Sequence, residues 1–189
     1  MALEIEAKVK VDDHAAVRAR LESSGARRLG EVLELNTFFD TVDHRLLGRD
    51  EGLRVRRARD AATGAEYCVV TFKGPARAGS ELKTREELEF FVTDGGAAEQ
   101  VLHRLGYARD LCFEKRRESW ELDGCHVELD ELPRLGRFVE IEGRDPAAVL
   151  RVRAALGLAG RPLIKVTYVA MVAALLRESG QADRAVRFA

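Results

Sequence analysis

The sequence is poor in the features that announce several common chemistries. Its three cysteines, Cys68, Cys112 and Cys125, are an odd number with no C-x-x-C pair. That argues against structural zinc and a disulfide framework, and for a reducing compartment. Four histidines, His14, His44, His103 and His126, are scattered without metal-ligand spacing and read as structural. There is no G-x-x-x-x-G-K-[ST] phosphate loop, and Gly74-Pro75 with Gly79 marks only a connection. No Ser-His-Asp or Cys-His arrangement presents itself. The best membrane candidate, VTYVAMVAALL at 166–176, is too short to span a bilayer. The N-terminus carries acids and lysines where a signal peptide needs an apolar run. An excess of one charge sign is missing too: 31 basic residues meet 32 acidic ones, for a net charge of -1. That argues against a protein that coats nucleic acid. The expectation is a soluble, cytoplasmic protein with neither a membrane nor a stable nucleic-acid partner.

What the chain does have is charge and alternation. Charged residues make up 33% and apolar residues 46%, so a globular chain must carry an unusually charged surface or interior. At 189 residues, one domain with a substantial core is expected, here residues 1–178 with a short tail at 179–189. Four helices are legible. One follows Asp12-Asp13, runs through AAVRARLESS and stops at Gly25, and another runs from near Asp94 to Gly106. A third has Asp145 as N-cap and Pro146 as its first residue, and ends at Gly157. The last covers about Tyr168 to Glu178, before Gly180. Strands are predicted at roughly 2–11, 27–39, 52–59, 66–73, 82–92, 108–122, 125–131 and 136–142. Asp123-Gly124 signals a tight hairpin. The fold class is α+β with a mainly antiparallel sheet, and about eight strands suffice to close a small barrel.

Several strands carry one face of charge only. In LEIEAKVKV, Glu4, Glu6, Lys8 and Lys10 oppose Leu3, Ile5, Ala7, Val9 and Val11. Arg54 and Arg56 share a face, as do Thr71 and Lys73, and as do Lys83, Arg85, Glu87 and Glu89. Glu128 and Asp130 oppose Val127 and Leu129, and Glu140 and Glu142 oppose Val139 and Ile141. Lys115 and Arg117 share a side, although Arg116 and Glu118 blur the pattern. A polar solvent face is ordinary for an antiparallel sheet. A face built almost wholly of Arg, Lys, Glu and Asp is not. Like charges at i and i+2 lie ~6.5–7 Å apart, and repel by about 2.4 kcal/mol at an effective dielectric near 20. In water that cost is screened; enclosed, it calls for counter-ions. Paired carboxylates suit hard divalent cations, and paired guanidinium and ammonium groups suit phosphate oxygens. A barrel lined with both would hold a metal–polyphosphate complex.

In this order the motifs resemble those of the CYTH superfamily, the triphosphate tunnel metalloenzymes. They are E-x-E-x-K at 4–8, FFDT at 38–41, GLRVRR at 52–57, TFKGP at 71–75 and R-E-E-L-E at 85–89. KRRESW at 115–120, ELDELPRLGRFVEIEG at 128–143 and IKVTY at 164–168 complete the set. The resemblance implies an eight-stranded antiparallel β-barrel, a tunnel with helices packed outside, binding triphosphate within. It implies metal-side acids at Glu4, Glu6, Asp130, Glu140 and Glu142, with Glu128 a further candidate, and Mg²⁺ or Mn²⁺ as cofactor. It implies phosphate contacts from Lys8, Arg54, Arg56, Lys73, Arg85, Lys115, Arg117 and Lys165, and catalytic roles for Glu4, Glu6 and Lys8. The division of labour among Arg85, Glu87 and Glu89 stays open, and Asp40 is either a turn residue or part of the tunnel mouth.

Two chemistries share these residues in the family. A class IV adenylyl cyclase converts ATP to cyclic AMP and pyrophosphate. A triphosphatase hydrolyses inorganic, thiamine or nucleoside triphosphate. Chain length, FFDT, TFKGP and LGRFVEIE lie nearer the cyclase branch. A polyphosphate- or nucleotide-binding module without turnover is the non-enzymatic alternative, and a homodimer is left open.

Overall fold

Alternation of apolar and charged residues decides which side of each strand faces inward once the strands curl. The computed structural model describes residues 2–77, 79, 82–180 and 183–189, the side chains of residues 2–4 excepted. Strand β1 (Ala2–Val11) pairs antiparallel with two strands distant in sequence, β5 (Lys83–Val92) and β8 (Gly136–Gly143). From β5 the sheet continues through β4 (Glu66–Lys73) and β3 (Gly52–Asp60) to β2 (Arg27–Asp40). From β8 it continues through β7 (Cys125–Leu132) to β6 (Ala108–Leu122). It closes because β2 also pairs with β6. The expected eight-stranded antiparallel barrel is formed, with helices outside it. Closure leaves those eight strands without a free edge. The β2–β6 ladder shifts register at Arg28/Gly30 and at Phe38/Phe39, irregularities that bend a strand and increase its twist.

The turn and cap residues act where the sequence placed them. Asp123 and Gly124 take φ values of 49° and 74°, the left-handed pair of a type I′ hairpin. Helix α1 (Ala15–Ser23) follows β1, with the Asp13 carboxylate accepting from the Ala15 N–H. Asp94 caps α3 (Gly95–Arg104), Asp145 caps α4 (Pro146–Ala155), and Thr167 caps α5 (Tyr168–Ser179). Two short elements have no counterpart in the sequence pattern. One is the single turn α2 (Arg45–Gly48), built on Asp40, whose carboxylate accepts from the N–H groups of Thr41, Leu46 and Leu47. Asp40 is therefore a turn residue. The other is β9 (Ala185–Val186), which pairs in parallel with Cys112 and Phe113 of β6.

Apolar packing falls into three groups. Outside the barrel, Ala7, Val9, Val127, Val139 and Ile141 pack on Val17 and Leu21 of α1 and on Val149 and Val152 of α4. Trp120 is buried in this group, as packing. A second outer group joins Phe39, Val55 and Val70 to α2 and α3. The third involves inward positions: Phe113 and Leu132 share their strand faces with Lys115 and Asp130, and both pack with Tyr168 and Val172 of α5. Helix α5 therefore covers one end of the barrel with apolar surface, each such side chain contributing about 1.5–3 kcal/mol when fully buried. The charged positions are left to line the rest.

Candidate active site

A cavity of about 710 Å³ runs through the barrel, and charged faces from β1, β3, β4, β5, β6, β7 and β8 meet in it. Lys8 is 2% exposed and lies between two carboxylates, 3.1 Å from Glu6 Oε1 and 3.0 Å from Glu140 Oε1. Its ammonium also sits 4.1 Å from the centre of the Tyr168 ring. Burial works against the charge, but Glu140 and Glu6 outweigh it and hold Lys8 protonated beyond the ordinary lysine range. The other oxygen of Glu6 accepts from Lys83 Nζ at 3.1 Å. Glu6 Oε1 is buried, and its contact is the ion pair with the Lys8 ammonium at 3.1 Å.

On the facing wall, Arg54 reaches Thr71 Oγ1 at 3.1 Å and Glu89 at 3.4 Å, and Arg56 reaches Glu34 at 3.4 Å. The Nε–H groups of both arginines are buried without an acceptor. Burial and the neighbouring Arg56 both lower the proton affinity of Arg54, a strain that an anion between the two would relieve. Lys73 pairs with Glu87 across β4 and β5. Lys115 lies 3.3 Å from Glu34 and 3.4 Å from Asp130. Arg117 binds Asp130 with two contacts and Glu140 Oε2 with a third at 2.5 Å. Glu128, lining the cavity, accepts from Ser119 Oγ at 2.5 Å.

The structure thus brings together Glu6, Lys8, Arg54, Arg56, Lys73, Arg85, Lys115, Arg117, Glu140 and Glu142 around one space. Glu142 stands directly across from Glu6 in the β1–β8 register. Asp130 is fully buried behind them, held by Arg117, Lys115 and the Tyr168 hydroxyl at 3.0 Å. The backbone of Glu4 lies opposite Arg85, while its side chain is outside the described residues. Lys165 does not line this cavity; it lines an adjoining one.

Three residues important to the site went unread in the sequence. Glu34, 1% exposed, is a buried acid set among Lys115, Arg117, Arg56 and Arg54, with Asn36 donating to it. The alternation of Leu33, Glu34, Leu35 and Asn36 carries the same period-two signal as β1, but Phe38 on the same face obscures it. Tyr168 is the third, and nothing local marks it as facing charge.

Among the described residues, no three His, Cys, Asp or Glu side chains are gathered to hold a metal ion. The donor chemistry nevertheless fits a hard divalent cation: Glu6 Oε1 is a buried carboxylate oxygen whose partner is an ion pair with Lys8, and Glu142 stands across from Glu6 in the ladder.

An antiparallel tunnel whose interior sets carboxylates against guanidinium groups defines a class, and comparison with known proteins agrees with it. Residues 2–158 match the CYTH domain, and the chain belongs to that family. It is 30% identical over 140 residues to a Methanocaldococcus jannaschii protein whose name proposes an adenylate cyclase, covering 74% of this chain and 76% of that one. It is 28% identical over 139 residues to an adenylate cyclase of Aeromonas hydrophila, covering 73% and 67%. A solved structure of a Pyrococcus horikoshii protein superposes with a TM-score of 0.78 at 26% identity, covering 93% of this chain and 99% of that one.

Proposed function

We propose that this protein is a divalent-metal-dependent enzyme acting on a triphosphate inside the tunnel, and that its reaction is of the class IV adenylyl cyclase type. The observation that carries the proposal is the facing of Arg54 and Arg56, with unmatched Nε–H donors, toward the same cavity as the Glu6, Glu140 and Glu142 carboxylates. Phosphoryl transfer needs chiefly positioning and charge neutralisation. Arg54, Arg56, Lys73, Lys115 and Arg117 would hold the triphosphate oxygens. Glu6, Glu140 and Glu142, with Glu4 next along β1, would hold Mg²⁺ or Mn²⁺. When bound, the ion shields phosphate charge and eases attack on phosphorus. Lys8 is held protonated, so its role is to stabilise negative charge and not to accept a proton.

One observation favours a base-bearing triphosphate over inorganic triphosphate, and a second favours the cyclase. The same cavity continues past Phe38, Leu47, Val169 and Ala173, an apolar stretch suited to a planar base and of no use to inorganic triphosphate. Both curated relatives carry cyclase names. In the reaction, the ribose 3′-oxygen bonds to the α-phosphorus, the bond from that phosphorus to the oxygen bridging the β-phosphate breaks, pyrophosphate leaves with that oxygen, and the hydroxyl proton passes to solvent water. Incubating the protein with Mg²⁺ or Mn²⁺ and ATP, inorganic triphosphate or thiamine triphosphate, then separating the products, tests this. Cyclic AMP with stoichiometric pyrophosphate supports it. Orthophosphate as the main product assigns a triphosphatase, and no product with any substrate leaves a binding module.

A further inference from the structure

A second cavity of about 460 Å³ adjoins the tunnel at the start of β5. Lys83, Arg85, Asp50, Thr167 and Ala170 border both spaces, so the two adjoin through a shared wall. Arg77 and Lys165 are added on the outer side, both exposed. Among the described residues, four cations therefore line this space with one acid, and one of the four, Lys83, is paired with Glu6 on the tunnel side. Asp50 is already engaged, accepting from Arg85 Nη2 at 2.5 Å and from the Ala76 N–H at 2.8 Å. Arg85 is 7% exposed, and its Nε–H is buried with no acceptor in the protein. Thr167 and Ala170 belong to the N-terminal turn of the twelve-residue helix α5, where aligned peptide dipoles favour negative charge. A buried unmatched donor, a helix N-terminus and two exposed cations meet at the junction.

We propose that this annex is a second condensed-phosphate subsite, continuous with the tunnel, that receives phosphate groups beyond the three held inside. The inference rests on the tunnel reading above. Two sources share the chemistry: the distal phosphates of a chain longer than three, and pyrophosphate on its way out. Lys165 is one of its ligands, which accounts for a motif lysine lying outside the main cavity.

Calorimetric titration with linear tripolyphosphate, tetrapolyphosphate and pyrophosphate tests it, with Mg²⁺ present and ionic strength fixed. The comparison protein is Arg77→Ala, whose exposed side chain does not line the tunnel. Tetrapolyphosphate is expected to bind about tenfold tighter than tripolyphosphate, roughly 1.4 kcal/mol. Arg77→Ala should remove that gain while leaving tripolyphosphate affinity unchanged. Loss of pyrophosphate affinity alone in the variant assigns the annex to the leaving product. Tripolyphosphate binding with no Arg77 dependence for either other ligand overturns the annex and spares the tunnel. Arg77-dependent binding of tetrapolyphosphate without any binding of tripolyphosphate keeps the annex and overturns the tunnel.

Discussion

Arg117 holds Asp130 through two parallel contacts, Nε to Oδ1 at 2.7 Å and Nη2 to Oδ2 at 2.6 Å. The same Nη2 reaches Glu140, so one guanidinium ties β6 to both β7 and β8 inside the barrel. Burial opposes the charge of Arg117, but Asp130 and Glu128 outweigh it and raise its pKa further. A planar fork gripping a buried carboxylate fixes where the remaining donors point. Asp130 thereby orders the basic wall.

Removing it should therefore be costly. Asp130→Ala strips Arg117, Lys115 and the Tyr168 hydroxyl of a common acceptor in a buried setting. We expect a loss of about 3–5 kcal/mol, the range for breaking a buried pair, read from urea unfolding of both proteins. A loss within the error of the extrapolation would mean that water replaces the carboxylate freely.

Acid should act on the same network. Burial pushes the Glu34 carboxyl upward, but Lys115, Arg117, Arg56 and Arg54 prevail and hold it well below the usual range. Glu140 is depressed likewise, burial being overcome by Lys8 and Arg117. A depressed native pKa gives stability that is complete above the unfolded value, about 4.3 for Glu, and declines as pH falls toward the native one. The melting temperature should drop steadily below about pH 4.5, and Glu34→Gln should flatten that slope. Equal slopes in the two proteins would count against Glu34 as a contributor.

Arg56→Ala should weaken use of the triphosphate. A charged hydrogen bond contributes about 1.5–3 kcal/mol, so kcat/KM should fall about 10–100-fold. A rise in KM alone would mean that the contact is equal in ground and transition states; a fall in kcat as well would mean that it strengthens on the way. Unchanged kcat/KM would place this face outside the reaction.

Metal and triphosphate should stabilise the protein together more than either does alone. If each ligates the other in one enclosed space, their binding is reciprocally linked, with a coupling of about 1–3 kcal/mol. Melting temperatures with Mg²⁺, with a non-hydrolysable triphosphate and with both, at fixed ionic strength, measure it. Glu6→Gln and Glu140→Gln should each lower the coupling, and Glu6→Gln should abolish turnover with the fold intact. Full coupling and turnover in both variants would remove these carboxylates from the metal site.

Much of the barrel was legible because a strand's side-chain period is local. The expected bounds of β1, β3, β4 and β6 lie within a residue or so of those observed, and Asp94, Asp145 and Asp123-Gly124 cap or turn where their chemistry predicts. The blur in KRRESW also resolves: Arg116 and Glu118 face outward, Arg116 over the Phe188 ring and Glu118 held by Arg18 and Arg28. Their face is charged because helix α1 and the last residues of the chain bring partners to it.

Alternation along each strand determined which residues lie on one side together, because successive side chains must point to opposite faces. It could not say that those sides enclose a space. That followed from β2 meeting β6 and β1 meeting both β5 and β8, contacts between segments far apart in sequence. Long-range pairing likewise turned Glu34 from one acid in an apolar run into the centre of a cationic wall. It put Lys165 at the adjoining cavity, on the segment before α5 whose Val166 carbonyl accepts from Lys8 Nζ at 3.3 Å. Whether a charge is solvated or enclosed depends on what lies across from it, and only chain closure supplies the other side.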